Sequence, residues 1–149
     1  MPRIVVYTVL TGSKEPLGDP LEGLSGAALQ SDLQFDWVCF TDDPELRSPR
    51  WQMRLLQEPL PPERSSRRPK MLPHEYLGEW RHSLYIDNIV RFARLPTQAE
   101  LFGAHETEAS VPLLRCFRHS NREDLLTEAE AIVQLGYESV ERLAEQLDF

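Results

Sequence analysis

Between Ile4 and Leu10 the chain reads Ile-Val-Val-Tyr-Thr-Val-Leu, an apolar run rich in β-branched residues that stops at Thr11-Gly12-Ser13. A run this short falls below the length of a helix, and branched side chains are stiff in a way that suits extended backbone, so it predicts a buried strand opening into a glycine loop. The same pattern recurs downstream. Phe35-Asp36-Trp37-Val38-Cys39-Phe40-Thr41 reads as a second strand that ends in the turn Thr41-Asp42-Asp43-Pro44, Trp51 to Leu56 as a short third, and Ser83-Leu84-Tyr85-Ile86 as a fourth that stops at Asp87-Asn88. Ile89 to Phe92 either continues that strand or pairs beside it, and Val111 to Phe117 reads as a last strand leading into His119.

The connections carry helix signals. A short helix is expected near Gly26 to Ser31 and a serine-capped one from Ser65 toward Tyr76, limited by Pro69 and Pro73. Pro96-Thr97 caps a short helix that runs to Phe102. Ser120 to Glu123 has capping-box spacing, and Leu125, Leu126, Ala129, Ile132 and Val133 form one apolar stripe at helical spacing. Gly136 sits where a glycine ends that helix, and Ser139 to Leu147 reads as a second, making a C-terminal helix pair. Strands alternating with helices predict an α/β fold, a mixed sheet flanked by helices. At 149 residues the chain is expected to be a single domain, residues 1–149.

With 16 basic and 24 acidic side chains the formal net charge is -8, which disfavours nucleic acid and anionic lipid as partners through long-range repulsion. The hydrophobic fraction of 41% with 27% charged residues is ordinary globular usage and excludes a disordered or fibrous chain. Cys39 and Cys116 each lie inside an apolar run without CxxC spacing, so neither zinc nor a disulfide framework is indicated. No signal-peptide pattern and no run of about 18 apolar residues is present, which predicts a cytoplasmic protein without a membrane span.

The charge is unevenly placed. From Arg47 to Lys70 seven basic residues face only Glu58 and Glu63, a net +5 that leaves -13 on the remainder. Ser65-Ser66-Arg67-Arg68-Pro69-Lys70 is suited to clamp a compact diphosphate, although a basic run is more often a solvated face. Asp87-Asn88 at a strand end suits either a divalent metal on phosphate or an Asx turn. Asp42 suits either a ribose or base contact or a turn before Pro44. His119, followed by Arg122 at a helix start, suits a metal and an anion or else an ordinary surface loop. His74 is either a phosphate donor or a structural hydrogen-bonding group. No Walker loop, GxGxxG, HExxH, GxSxG or EF-hand pattern occurs.

In order, Tyr7-Thr8-Val9-Leu10-Thr11-Gly12, the phrase Cys39-Phe40-Thr41-Asp42-Asp43, Trp51, Arg68-Pro69-Lys70-Met71-Leu72-Pro73-His74, Tyr85-Ile86-Asp87-Asn88 and Arg118-His119 with Arg122 resemble a known family. It is the glycosyltransferase-like domain family of the plant turgor-regulation-defect and mucilage-related proteins, similar to enzymes of GT-A type. The resemblance runs from residue 4 to about residue 130. It implies a Rossmann-like GT-A-type domain that transfers a sugar from a nucleoside-diphosphate donor to an unknown acceptor, with Mn²⁺ or Mg²⁺ on the diphosphate. Residues 1–95 would form the nucleotide-sugar part, and residues 96–149 the short helix, last strand and C-terminal helices.

Carried over by position, Tyr7, Thr8, Thr11 and Gly12 lie by the nucleotide, Asp42 by its base or ribose, and Arg67, Arg68 and Lys70 by the phosphates. His74, Asn88 and Arg122 complete the nucleotide-sugar set. Asp87 and Lys70 take the catalytic roles, and Asp87 with His119 the metal. Two features depart from the pattern: Asp87 is followed by Asn88-Ile89, one carboxylate where many such enzymes present two, and 149 residues is short for such an enzyme. The resemblance therefore implies an acceptor-binding half that is reduced, absent or supplied by a second copy or another subunit. A catalytically inactive nucleotide-sugar-binding or protein-interaction module of the same fold is the alternative, the latter docking through the C-terminal helix pair.

Overall fold

The computed structural model describes residues 1–12, 15–57, 65–102, 125–136 and 139–141. The chain divides into two compact units, Met1–Thr107 and Glu108–Phe149.

The first unit is built on four strands, β1 (Arg3–Leu10), β2 (Gln34–Thr41), β3 (Gln52–Leu55) and β4 (Ser83–Tyr85), in the order β3-β2-β1-β4. All three pairings are parallel, with Val6 opposite both Trp37 and Leu84 and Tyr7 opposite both Val38 and Tyr85. Among the described residues the sheet is parallel throughout, and the last strand expected at Val111 to Phe117, which would decide whether the sheet is mixed, lies outside them. Parallel strands need crossover connections that cover both faces, which is why β1 is an unbroken apolar run rather than an alternating one.

Val5, Tyr7 and Val9 join Val38, Phe40 and Leu77 on one face, with Tyr76, Trp80 and Tyr85 packed against them. Val6 and Leu10 join Cys39, Trp51 and Ile86 on the other, backed by Trp37 and Phe92. Burying each of these apolar side chains contributes about 1.5–3 kcal/mol, so the sheet and its two covers hold one another. The Trp37 ring meets Trp51 edge-on at 5.6 Å and Phe92 at 6.1 Å, the arrangement that ring quadrupoles favour.

Two short helices follow β3: α1 (Arg67–Met71) and α2 (Pro73–Tyr76). The sequence predicts one serine-capped helix here, and the structure corrects it. Proline disfavours helical backbone in the residue before it, and Leu72 accordingly leaves the helix at φ -126, ψ 51, after which Pro73 starts a new turn. Ser66 is itself helical and makes no side-chain cap. Helix α3 (Gln98–Phe102) begins as its sequence predicts: the Thr97 amide donates to Glu100 at 2.9 Å and the Glu100 amide donates to Thr97 Oγ1 at 3.4 Å, a reciprocal box. Gly26–Leu29 is one 3-10 turn.

Ile89 to Phe92 forms no strand. The Val90 amide turns back to the Asp87 carbonyl at 2.9 Å and leaves Ile89 exposed.

In the second unit, helix α4 (Leu125–Gln134) ends at Gly136, whose φ of 71 is the left-handed value a terminating glycine supplies and whose amide donates to the Val133 carbonyl at 2.9 Å. The strand at Val111 to Phe117, the capping box at Ser120 and most of the second helix lie outside the described residues. Among the described residues no helix is long and apolar enough to cross a membrane.

Candidate functional site

In this sheet β1 has β2 on one side and β4 on the other, so the strand order reverses at β1: the chain moves outward from β1 to β2 and β3 and then returns to place β4 at the other edge of β1. A crevice opens at such a switch point. Here it is a cleft of about 400 Å³, walled by Leu10 and Thr11 at the end of β1, by Asp87, Asn88 and Ile89 beyond β4, and by Ser66, Arg67 and Lys70 of the helical segment. Arg67 and Lys70 stand three apart on α1 and therefore share a face.

Lys70 has two supports. Its Nζ lies 3.5 Å from Asp87 Oδ1 and 4.7 Å from the centre of the Tyr85 ring, so the ammonium rests on a π face and against a carboxylate together. The Tyr85 hydroxyl donates to the same Asp87 Oδ1. Burial, then that hydrogen bond and the carboxylate's charge, push the Tyr85 phenol far above its usual value, so it stays a proton donor. Arg67 has no ion pair or hydrogen bond among the described residues, and its side chain is exposed at the cleft wall.

Asn88 holds the loop that follows β1. Its Oδ1 accepts the Gly18 amide hydrogen at 2.7 Å, and its Nδ2 donates to the Pro16 carbonyl at 2.8 Å and to Glu15 at 3.3 Å. The Gly18 carbonyl in turn accepts from Trp51 Nε1 at 2.8 Å. This set of bonds places the Glu15 carboxylate in the cleft wall.

The structure thus brings Thr11, Arg67, Lys70, Asp87 and Asn88 to one cleft. The other expected site residues are elsewhere or beyond description. Tyr7 and Thr8 are interior to the sheet: the Tyr7 ring packs against Phe40 and Tyr85, burial pushes its phenol up to about 12, and Thr8 is fully buried with its hydroxyl unpaired among the described residues. Gly12 and Asp42 bind each other across the ends of β1 and β2, the Gly12 amide lying 3.0 Å from both carboxylate oxygens. Arg68 faces Glu75 at 3.8 Å, and His74 is exposed on α2; neither lines the cleft. His119 and Arg122 lie outside the described residues.

The basic stretch is dispersed in space. Arg47 donates to the Pro44 carbonyl at 2.6 Å, Arg50 pairs with Asp19 at 2.6 Å, and Arg54 pairs with Glu79 while stacking on Trp80 at 4.8 Å. These arginines stitch the fold, and of the described members of the stretch Arg67 and Lys70 alone reach the cleft.

Sequence reading missed Glu15 and the part that Tyr85 plays, while Ser66 stood within the stretch expected to clamp a diphosphate. Tyr85 was findable, since residues two apart on a strand share a face and Tyr85 precedes Asp87 by two. Glu15 was not, because only the bonds from Asn88 bring its loop over the cleft.

Asp87 Oδ1 already takes the Lys70 ammonium and the Tyr85 hydroxyl, and among the described residues no three His, Cys, Asp or Glu side chains gather. A divalent cation at Asp87 would meet the Lys70 charge at close range, so the described residues do not fit one. Comparison with known proteins adds no identity: no family model, curated protein or solved structure matches the chain.

Proposed function

We propose that the cleft binds the diphosphate of a nucleoside-diphosphate sugar and that the protein is a glycosyltransferase. The observation that carries this reading is the meeting of Arg67 and Lys70 in one cleft at the switch point between β1 and β4. The parallel order β3-β2-β1-β4 is also that of the first four strands of doubly wound nucleotide-binding sheets, which supports it further. So do the sequence phrases at Asp42, Lys70 and Asp87.

When a sugar leaves its donor, negative charge builds on the departing diphosphate. Arg67 supplies a planar fork able to take two phosphate oxygens, and Lys70, held over Tyr85, supplies a point charge whose position is set before the ligand arrives. Cations preorganised where charge develops lower the barrier, and removing one such donor costs on the order of 10²–10³ in kcat. The acceptor is a hydroxyl-bearing molecule whose identity the test must supply.

Nucleoside-diphosphate release from a panel of nucleotide sugars, with and without sugar acceptors, tests the reading. Release by the wild type that falls at least about a hundredfold in Lys70→Ala supports it. A second reading, a module that binds nucleotide sugars without transfer, is favoured by the engagement of Asp87 by Lys70 and Tyr85, which leaves that carboxylate poorly placed to act as a base. Saturable donor binding with no release under any acceptor would establish the module and reject the transferase.

A further inference from the structure

We propose that Asp87 is an internal competitor for the ligand anion rather than a metal ligand: it occupies Lys70 in the free protein and is displaced when a diphosphate enters. This rests on the diphosphate reading of the cleft, and it follows from how the charges in its wall are arranged. Arg67 and Lys70 provide two positive charges, while Asp87 and Glu15 provide two negative ones, so the wall is neutral as it stands. A multiply charged diphosphate gains little from a neutral wall unless one carboxylate withdraws.

Asp87 is the carboxylate that holds the cation a phosphate oxygen would take. Its side chain is 65% exposed, against 35% for Lys70, so the carboxylate has solvent to turn into while the ammonium keeps its place. The ammonium has a second support in the Tyr85 ring, 4.7 Å away, which remains when the carboxylate leaves. Tyr85 serves as a common post: its ring carries the cation and its hydroxyl steadies the competing anion. A phosphate oxygen arriving at Lys70 replaces Asp87 as counter-ion, and the Tyr85 hydroxyl is then free to donate to the ligand. Exposed pairs of this kind are weak enough for a ligand to break.

The experiment uses inorganic pyrophosphate titrated calorimetrically into the full chain in the presence of a chelator, comparing wild type with Asp87→Asn and Lys70→Met. Asp87→Asn is expected to bind about fivefold more tightly than wild type, with the gain shrinking as salt screens the cleft. Lys70→Met is expected to bind more weakly than wild type. Equal or weaker binding by Asp87→Asn overturns the proposal. So does a wild type that binds only when Mn²⁺ is added and loses that binding in Asp87→Asn, which is the behaviour of a metal ligand. If neither wild type nor Asp87→Asn binds pyrophosphate, the diphosphate reading falls with the proposal. Wild-type binding that Asp87→Asn leaves unchanged removes the competitor role alone. Melting temperatures of all three proteins confirm that each is folded, which the exposure of Asp87 favours.

Discussion

Asn88 accepts the Gly18 amide hydrogen at 2.7 Å across seventy residues of sequence, and through that bond the end of β4 positions the loop that follows β1. The contact is close enough to require glycine. A Cβ at Gly18 would lie 2.6 Å from the Asn88 carbonyl oxygen and 2.5 Å from the Arg91 guanidinium nitrogens. The guanidinium can swing aside, but the backbone carbonyl cannot without moving the cleft wall.

Asn88→Ala and Gly18→Ala should therefore each destabilise the protein, by about 1–3 kcal/mol, the first by leaving part-buried polar groups unpaired and the second by overpacking. Urea denaturation midpoints measure this. Unchanged midpoints in both variants would show that the loop is not held as described.

Asp42→Ala tests a residue whose sequence-based role and structural role differ. The carboxylate caps the Gly12 amide at 3.0 Å from both oxygens, so its loss is expected to cost about 0.5–1.5 kcal/mol of stability and to leave diphosphate affinity unchanged. A drop in nucleotide affinity at constant stability would instead assign Asp42 to the base or ribose.

Acid sensitivity has a local source at the start of α3. Hydrogen bonding from Arg94, followed by the Thr97 amide and hydroxyl, pulls the Glu100 carboxyl from 4.5 down to about 2. A carboxylate depressed in the folded state contributes stability that is present above its unfolded value and lost as pH falls through its folded one. The window thus runs from 4.5 down to about 2. Melting temperatures should show wild type above Glu100→Gln at neutral pH, with the gap closing through that window. A gap that is constant with pH would contradict the assignment.

Cys39 should be inert in the folded protein. It is fully buried between the sheet and Trp51, and burial pushes its thiol up to about 12, so almost no thiolate exists near neutral pH. Peptide mapping after iodoacetamide treatment is expected to find Cys39 unmodified in native protein and modified in denaturant. Alkylation of native Cys39 at the rate of a free thiol would refute this.

Much of the first unit was legible because its signals are local. The run at Ile4 declares a strand through branching and continuous apolarity, and Pro96-Thr97 declares a helix start, whereas the division of the Ser65 to Tyr76 stretch into α1 and α2 at Leu72-Pro73 was not read. The parallel sheet was less so, since register and strand order depend on which runs meet in space. The candidate site was legible in part. Asp87 at a strand end and Lys70 in the basic stretch were visible as residues, yet their 3.5 Å contact was not, and neither was the use of Arg50 and Arg54 as structural partners of Asp19 and Glu79.

By itself the sequence determined the α/β class, the buried first strand and the presence of cations and carboxylates in excess of what the core requires. Tertiary structure alone decided which of those charges face one another. A backbone propensity or a cap is settled within a few residues, whereas the partner of a charged side chain is set by the crossing of elements far apart in the chain. Lys70 and Asp87 meet although seventeen residues separate them, and that 3.5 Å contact is set by where β4 pairs with β1 rather than by any local signal around either residue.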